Sequence, residues 1–116
     1  MAGDLEKNVE ITLLFDFYGQ LLKEQQQQAV SLYYNEDLSL AEIAAQLNIT
    51  RQGVRDSIKR SEAQLYTYEE KLGLFKRFRQ TESGLLAIEK LAEKLIDNYD
   101  KDLAVEILKT AKSLHE

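Results

Sequence analysis

The chain has no cysteine, no proline and no tryptophan, and only one histidine and five glycines in 116 residues. Without cysteine there is no disulfide and no thiolate metal site, and nothing points to an oxidising compartment. The one histidine, His115, stands next to the C-terminus, which leaves zinc sites and Cys–His or Ser–His–Asp catalysis without a framework. No glycine-rich phosphate loop or dinucleotide fingerprint occurs. Carboxylate pairs such as Glu69–Glu70 and Asp97–Asp100 stand among lysines, as solvated helix faces do. No apolar run approaches the roughly 18 residues of a membrane span. The opening MAGDLEKNVE is acidic and polar, the wrong chemistry for a signal peptide. These absences describe a cytoplasmic protein that is not an enzyme and carries no cofactor or metal.

Positive charge is scarce as well, and unevenly placed. The formal net charge is -5. Residues 1–49 hold 2 basic and 8 acidic side chains, and residues 61–116 hold 9 basic and 11 acidic. Only residues 50–60 are positive, with Arg51, Arg55, Lys59 and Arg60 against Asp56. A footprint for a polyanion is therefore local rather than spread over the whole domain.

What is present is helical periodicity. Apolar residues recur at three- and four-residue spacing almost everywhere and alternating strand patterns are missing, so the spacing predicts an all-α fold. A first helix is expected over about residues 6–18, with Ile11, Leu14, Phe15, Phe17, Tyr18 and then Leu21 supplying apolar surface and Gly19 near its end. A second runs from Glu24 to Tyr34, its Gln25–Gln28 stretch a solvated start, and Asn35–Asp37 turns the chain. Ser39-Leu40-Ala41-Glu42 is a capping box that opens a third helix, with Leu40, Ile43, Ala44 and Leu47 on one face. Asn48 tolerates the left-handed conformation of a helix-ending turn. Ile49 points inward, and Thr50 caps a fourth helix whose Val54, Ile58, Ser61 and Leu65 share one side. Leu65, Tyr68, Leu72 and Phe75 continue as a heptad-like seam. A break is expected near Thr81–Gly84. A further amphipathic helix bears Leu85, Ile88, Leu91, Ala92, Leu95, Ile96 and Tyr99, and Asp100 caps a last one with Leu103, Ile107, Leu108, Ala111 and Leu114.

Two short helices joined by a tight turn, the second opening with basic and amide side chains, make a helix-turn-helix. Ile43, Leu47, Ile49, Val54 and Ile58 clamp the pair, and Ala44 is small where the helices cross. Gln52, Arg55, Asp56 and Lys59 then point outward, with Arg51 at the start of the helix and Arg60 on one flank. Arginine and glutamine grip purine edges in the major groove, and neighbouring cations suit phosphate oxygens. Asp56 accepts from a cytosine amino group or restrains Arg60 four residues on. Gly53 needs only to be small. The candidate DNA-binding residues are Thr50, Arg51, Gln52, Arg55, Asp56, Lys59 and Arg60. The expected division is residues 1–66, an N-terminal helix plus the helix-turn-helix, and residues 67–116, a helical extension for oligomerisation.

The block SLAEIAAQLNITRQGVRDSIKRSEAQL, Ser39 to Leu65, resembles region four of bacterial sigma factors. LFDFYG (14–19), LYYNEDLSLAEIA (32–44), TRQGVRDSIKRSE (50–62) and YEEKLGL (68–74) resemble the YlxM family, small all-helical proteins of Gram-positive bacteria often encoded beside signal recognition particle components. The resemblance covers residues 10–75; residues 80–116 carry none of its motifs. Where the family has threonine before the second helix this chain has Lys23, and where it has alanine and an aromatic residue this chain has Gly53 and Arg55. The resemblance implies a protein that binds double-stranded DNA and regulates, or physically assists, the signal recognition particle pathway. Two functions compete: a homodimeric DNA-binding regulator, and a protein-interaction module that serves signal recognition particle components without DNA.

Overall fold

A computed structural model describes the backbone of residues 2–115 and the side chains of residues 7–115. The side chains of Met1–Glu6, on which part of the N-terminal expectation rested, lie outside the described residues. Among the described residues six α-helices follow one another: α1 (Ala2–Tyr18), α2 (Glu24–Val30), α3 (Leu40–Leu47), α4 (Arg51–Leu72), α5 (Leu74–Asp97) and α6 (Lys101–Ser113). A 3₁₀ turn at Gly19–Leu21 and a wide π-type turn at Ser31–Asn35 link the first three. No strand occurs among the described residues. The chain divides into two compact units, Met1–Phe75 and Lys76–Glu116.

The first unit is built on two apolar nuclei. Ile11, Leu14 and Tyr18 recur at helical spacing on α1 and meet Leu22, Val30 and Leu65; Phe15, Tyr34, Tyr68 and Phe75 pack around them. Ala29, Ile43, Ala44, Val54 and Ile58 form the second nucleus, with Leu32, Tyr34, Leu38, Leu40, Leu47 and Ile49 around it. Helix α4 serves both, and Tyr34 packs against both.

Several expectations change here, each for a tertiary reason. Leu21 is 56% exposed and Leu22 is buried in its place, because the 3₁₀ turn winds three residues per turn and alters the phase after Tyr18. The second helix is α-helical only to Val30 and then widens into the π-type turn. The glutamine stretch is not wholly solvated. Gln26 is buried and its Nε2 donates to Gln64 Oε1 at 3.0 Å, while Gln27 Nε2 donates to the Leu22 carbonyl at 2.7 Å. At Lys23 a threonine cap is indeed missed: an ammonium has no lone pair for the first-turn N–H groups, and what remains is the Lys23 N–H donating to Gln26 Oε1 at 3.3 Å.

Helix α4 runs 22 residues without interruption. It ends at Gly73, whose φ of 64° is the left-handed closing conformation that glycine adopts without strain. That reversal splits the expected seam. Leu65, Tyr68 and Phe75 stay on the first nucleus and Leu72 is exposed. Glu69 is not a solvated carboxylate either. Its Oε1 accepts from the Tyr18 hydroxyl at 2.6 Å and from the Phe75 N–H at 3.0 Å, and Tyr18 Oη accepts in turn from the Leu74 N–H at 3.0 Å. Burial and then the Glu69 hydrogen bond push the Tyr18 phenol above its ordinary pKa.

In the second unit the break expected near Thr81–Gly84 is absent, because α5 passes straight through it. Gly84 serves packing. A Cβ there would stand 2.5 Å from Leu114 Cδ2. Gly84 lies thirteen residues before the last residue of α5 and Leu114 thirteen after the first of α6, so α6 folds back antiparallel along α5. Asp100 caps α6, its Oδ1 accepting from the Asp102 N–H at 2.8 Å. No residue of either helix is buried. Ile88, Leu91, Leu95, Leu103, Ile107 and Leu114 are half-buried, and Ile96 and Tyr99 are 84% and 75% exposed.

Candidate nucleic-acid interface

The interface is assembled by local rules first. Ser39 Oγ accepts from the Glu42 N–H at 3.1 Å and Glu42 Oε1 accepts from the Ser39 N–H at 3.1 Å, the reciprocal cap that opens α3. These bonds to Ser39 hold the Glu42 carboxyl below its ordinary pKa. Helix α3 closes at Asn48, whose φ of 57° and ψ of 46° are left-handed. The Asn48 and Ile49 N–H groups both donate to the Ala44 carbonyl, Ile49 at 3.1 Å, which satisfies that helix end while reversing the chain. Thr50 Oγ1 then accepts from the Gly53 N–H at 2.9 Å and opens α4. A Cβ on Gly53 would come within 3.0 Å of that same oxygen, so the small residue suits the cap.

The clamp and the ridge separate cleanly. Val54 is 0% and Ile58 5% exposed, and Ile43 and Ala44 close on them from α3. Ser61 is fully buried and returns its hydroxyl to the Ser57 carbonyl at 2.7 Å. Thr50, Arg51, Gln52, Arg55, Asp56, Lys59 and Arg60 are all exposed. Within this ridge Gln52 Nε2 donates to Asp56 Oδ1 at 2.9 Å. Asp56 is therefore tied to Gln52 one turn back, and not to Arg60 as one expectation had it. Thr50 has its oxygen committed to the cap and Gln52 and Asp56 are bonded to each other, while Arg51, Arg55, Lys59 and Arg60 present their charged groups to solvent.

Two clefts flank α4. One is lined by Arg55, Ile58, Lys59 and Glu62 together with Lys7 and Asn8 of α1 and Tyr33 of the π-type turn. Lys7 Nζ stands 3.4 Å from Glu62 Oε2. Tyr34, on the same wall, has its phenol pushed far up by burial and by the Glu62 carboxylate. The other cleft is lined by Gly53, Asp56, Ser57, Arg60 and Gln64, with Lys23 and Gln25 from the start of the α2 region. Sequence reasoning missed Lys7, Asn8, Lys23 and Tyr33. They lie far from residues 50–60 in the chain, and the only prior signal was that two of them are the sole cations before residue 50. Among the described residues no group of His, Asp and Glu is placed to hold a metal ion. Among the described residues no helix is long and apolar enough to cross a membrane.

Comparison with known proteins agrees with this geometry. A family model described as "Putative helix-turn-helix protein, YlxM / p13 like" matches residues 5–109, so the likeness extends well past the residue-75 limit of the motifs. A UPF0122 protein of Desulforamulus reducens is 48% identical over 105 residues, covering 90% of this chain and 86% of that one. One from Bacillus licheniformis is 48% identical over 103 residues, covering 84% and 96%. One from Acetivibrio thermocellus is 52% identical over 84 residues, covering 72% of each. An all-α chain with a capped, left-handed turn between α3 and α4, matched over this length, belongs to the UPF0122 family of YlxM-like helix-turn-helix proteins.

Proposed function

We propose that this protein binds double-stranded DNA in the major groove through the exposed ridge of α4 and acts as a transcriptional regulator linked to the signal recognition particle pathway. The observation that carries the DNA reading is the division of α4: Val54 and Ile58 are clamped inside while Arg51, Gln52, Arg55, Lys59 and Arg60 stand in solvent. Arg55 and Gln52 supply the side chains suited to base edges, and Lys59, Arg51 and Arg60 those suited to phosphates. The link to the secretion pathway rests on the family resemblance alone. The second unit, which buries none of its apolar residues fully, pairs with a second copy so that two reading helices act together.

A salt titration with labelled duplex tests the reading. Log affinity falls linearly with log salt, with a slope of ~3–5 per subunit, and Arg55→Ala with Lys59→Ala flattens it. No binding to any duplex at low salt overturns it. The net charge of -5 favours a second reading, in which the same ridge docks on a partner of the secretion pathway. A pull-down that recovers such components from a chain inert toward DNA would establish that instead.

A further inference from the structure

The ridge of α4 is narrow, and the two clefts beside it lie on opposite flanks of the same helix. At about 100° per residue, Arg55, Ile58, Lys59 and Glu62 fall on one side of the inward stripe and Gly53, Ser57, Arg60 and Gln64 on the other. An α-helix with its side chains is about 10–12 Å across and the major groove about 12 Å wide. A helix seated in that groove therefore has one phosphate strand along each flank.

We propose that each cleft grips one of these strands, and that residues outside the helix-turn-helix complete the grip: Lys7 and Asn8 of α1 on one side, Lys23 and Gln25 on the other. The inference rests on the reading of α4 as a duplex-binding helix. Its own support is the charge and chemistry of the walls. The first cleft holds Lys7, Arg55 and Lys59 against Glu62, and the second holds Lys23 and Arg60 against Asp56. Both are thus net positive in a chain whose total is -5. The acids are already occupied. Glu62 faces Lys7, and Asp56 accepts from Gln52. Lys7 and Lys23 are the only cations in residues 1–49, and the fold brings each to one wall of α4. The Asn8 and Gln25 amides add neutral donors of the kind that hold phosphate oxygens.

Lys7 has two effects in this arrangement. Its side chain is 56% exposed while that of Glu62 is 13% exposed. The ammonium therefore reaches solvent and a phosphate while it cancels a carboxylate that would repel one. The pair joins an exposed ammonium to a partly buried carboxylate and is of modest strength, so its rearrangement on binding is inexpensive.

The experiment uses the full chain and a fluorescein-labelled duplex of random sequence, followed by anisotropy from low to moderate salt. Lys7→Gln and Lys23→Gln each lower the slope of log affinity against log salt by about 1 and weaken all sequences alike, as loss of a phosphate contact does. Lys7→Arg and Lys23→Arg keep the slope. Glu62→Gln tightens binding about 2–5-fold, because the Lys7 ammonium is no longer partly offset by a neighbouring carboxylate. Circular dichroism confirms that each variant is folded. If the wild type binds and Arg55→Ala with Lys59→Ala flattens the slope, but Lys7→Gln and Lys23→Gln leave it unchanged, the flanking grip is overturned and the reading of α4 stands. If the wild type binds no duplex at low salt, both fall together.

Discussion

The Tyr18 hydroxyl sits where the chain turns from α4 into α5. It donates to Glu69 Oε1 and accepts from the Leu74 N–H, and Glu69 also accepts from the Phe75 N–H. Tyr18 itself is 1% exposed. Tyr18→Phe leaves the ring in place and removes both bonds, so the Leu74 N–H loses its acceptor in a part-buried setting. Such a loss costs about 1–3 kcal/mol, which urea unfolding of the variant against the parent measures. Glu42 makes a pH prediction. Its carboxyl is depressed in the fold by bonds to Ser39. A group lowered in this way stabilises the fold above its ordinary pKa and loses that effect as pH falls through the lowered value. The melting temperatures of Glu42→Gln and the parent therefore differ at neutral pH and converge in acid. Curves that stay parallel down to low pH would show that the capping charge contributes nothing.

Helices α3 and α4 were legible from the sequence because their signals are local. The capping box spans four residues, Asn48 stands at the turn, and Thr50 reaches the N–H of Gly53 three residues on. Exposure of the ridge followed once Val54 and Ile58 were placed inward. The elements that were misread depend on partners far along the chain. Gln26 is buried because of Gln64, Glu69 is engaged because of Tyr18, and Gly84 is a contact point because of Leu114. No three- or four-residue rule contains those partners. Gly84 also makes the testable case at this scale. Gly84→Leu improves intrinsic helix propensity by about 1 kcal/mol, yet places atoms where Leu114 already lies. The clash outweighs the propensity, and the variant loses helical signal at lower temperature. Adding Leu114→Ala relieves the overlap, so a double-mutant cycle returns a favourable coupling between the two changes. Additive effects would mean that α6 does not lean on α5 at this point.

At the scale of the whole molecule, the two units differ in how well each satisfies its own apolar surface. The first encloses two nuclei of buried side chains. The second has Ile88, Leu91, Leu95, Leu103 and Ile107 only half-buried, and Leu85, Leu86, Ile96 and Leu108 about half or more exposed. A two-helix hairpin has too little interior of its own to close over such a set. If the proposed pairing of two copies holds, sedimentation equilibrium at micromolar concentration gives twice the chain mass, and Ile96→Glu with Leu108→Glu returns it to a single chain. A monomer at all concentrations would end the case for a paired reader.

The first unit has a further property that follows from Tyr34. That ring leans on both nuclei, and α4 runs through both. The two nuclei are thereby tied to one another, and the unit is expected to unfold as one, with circular dichroism and tyrosine fluorescence tracing a single coincident transition in urea. Two separated transitions would show that the nuclei come apart independently.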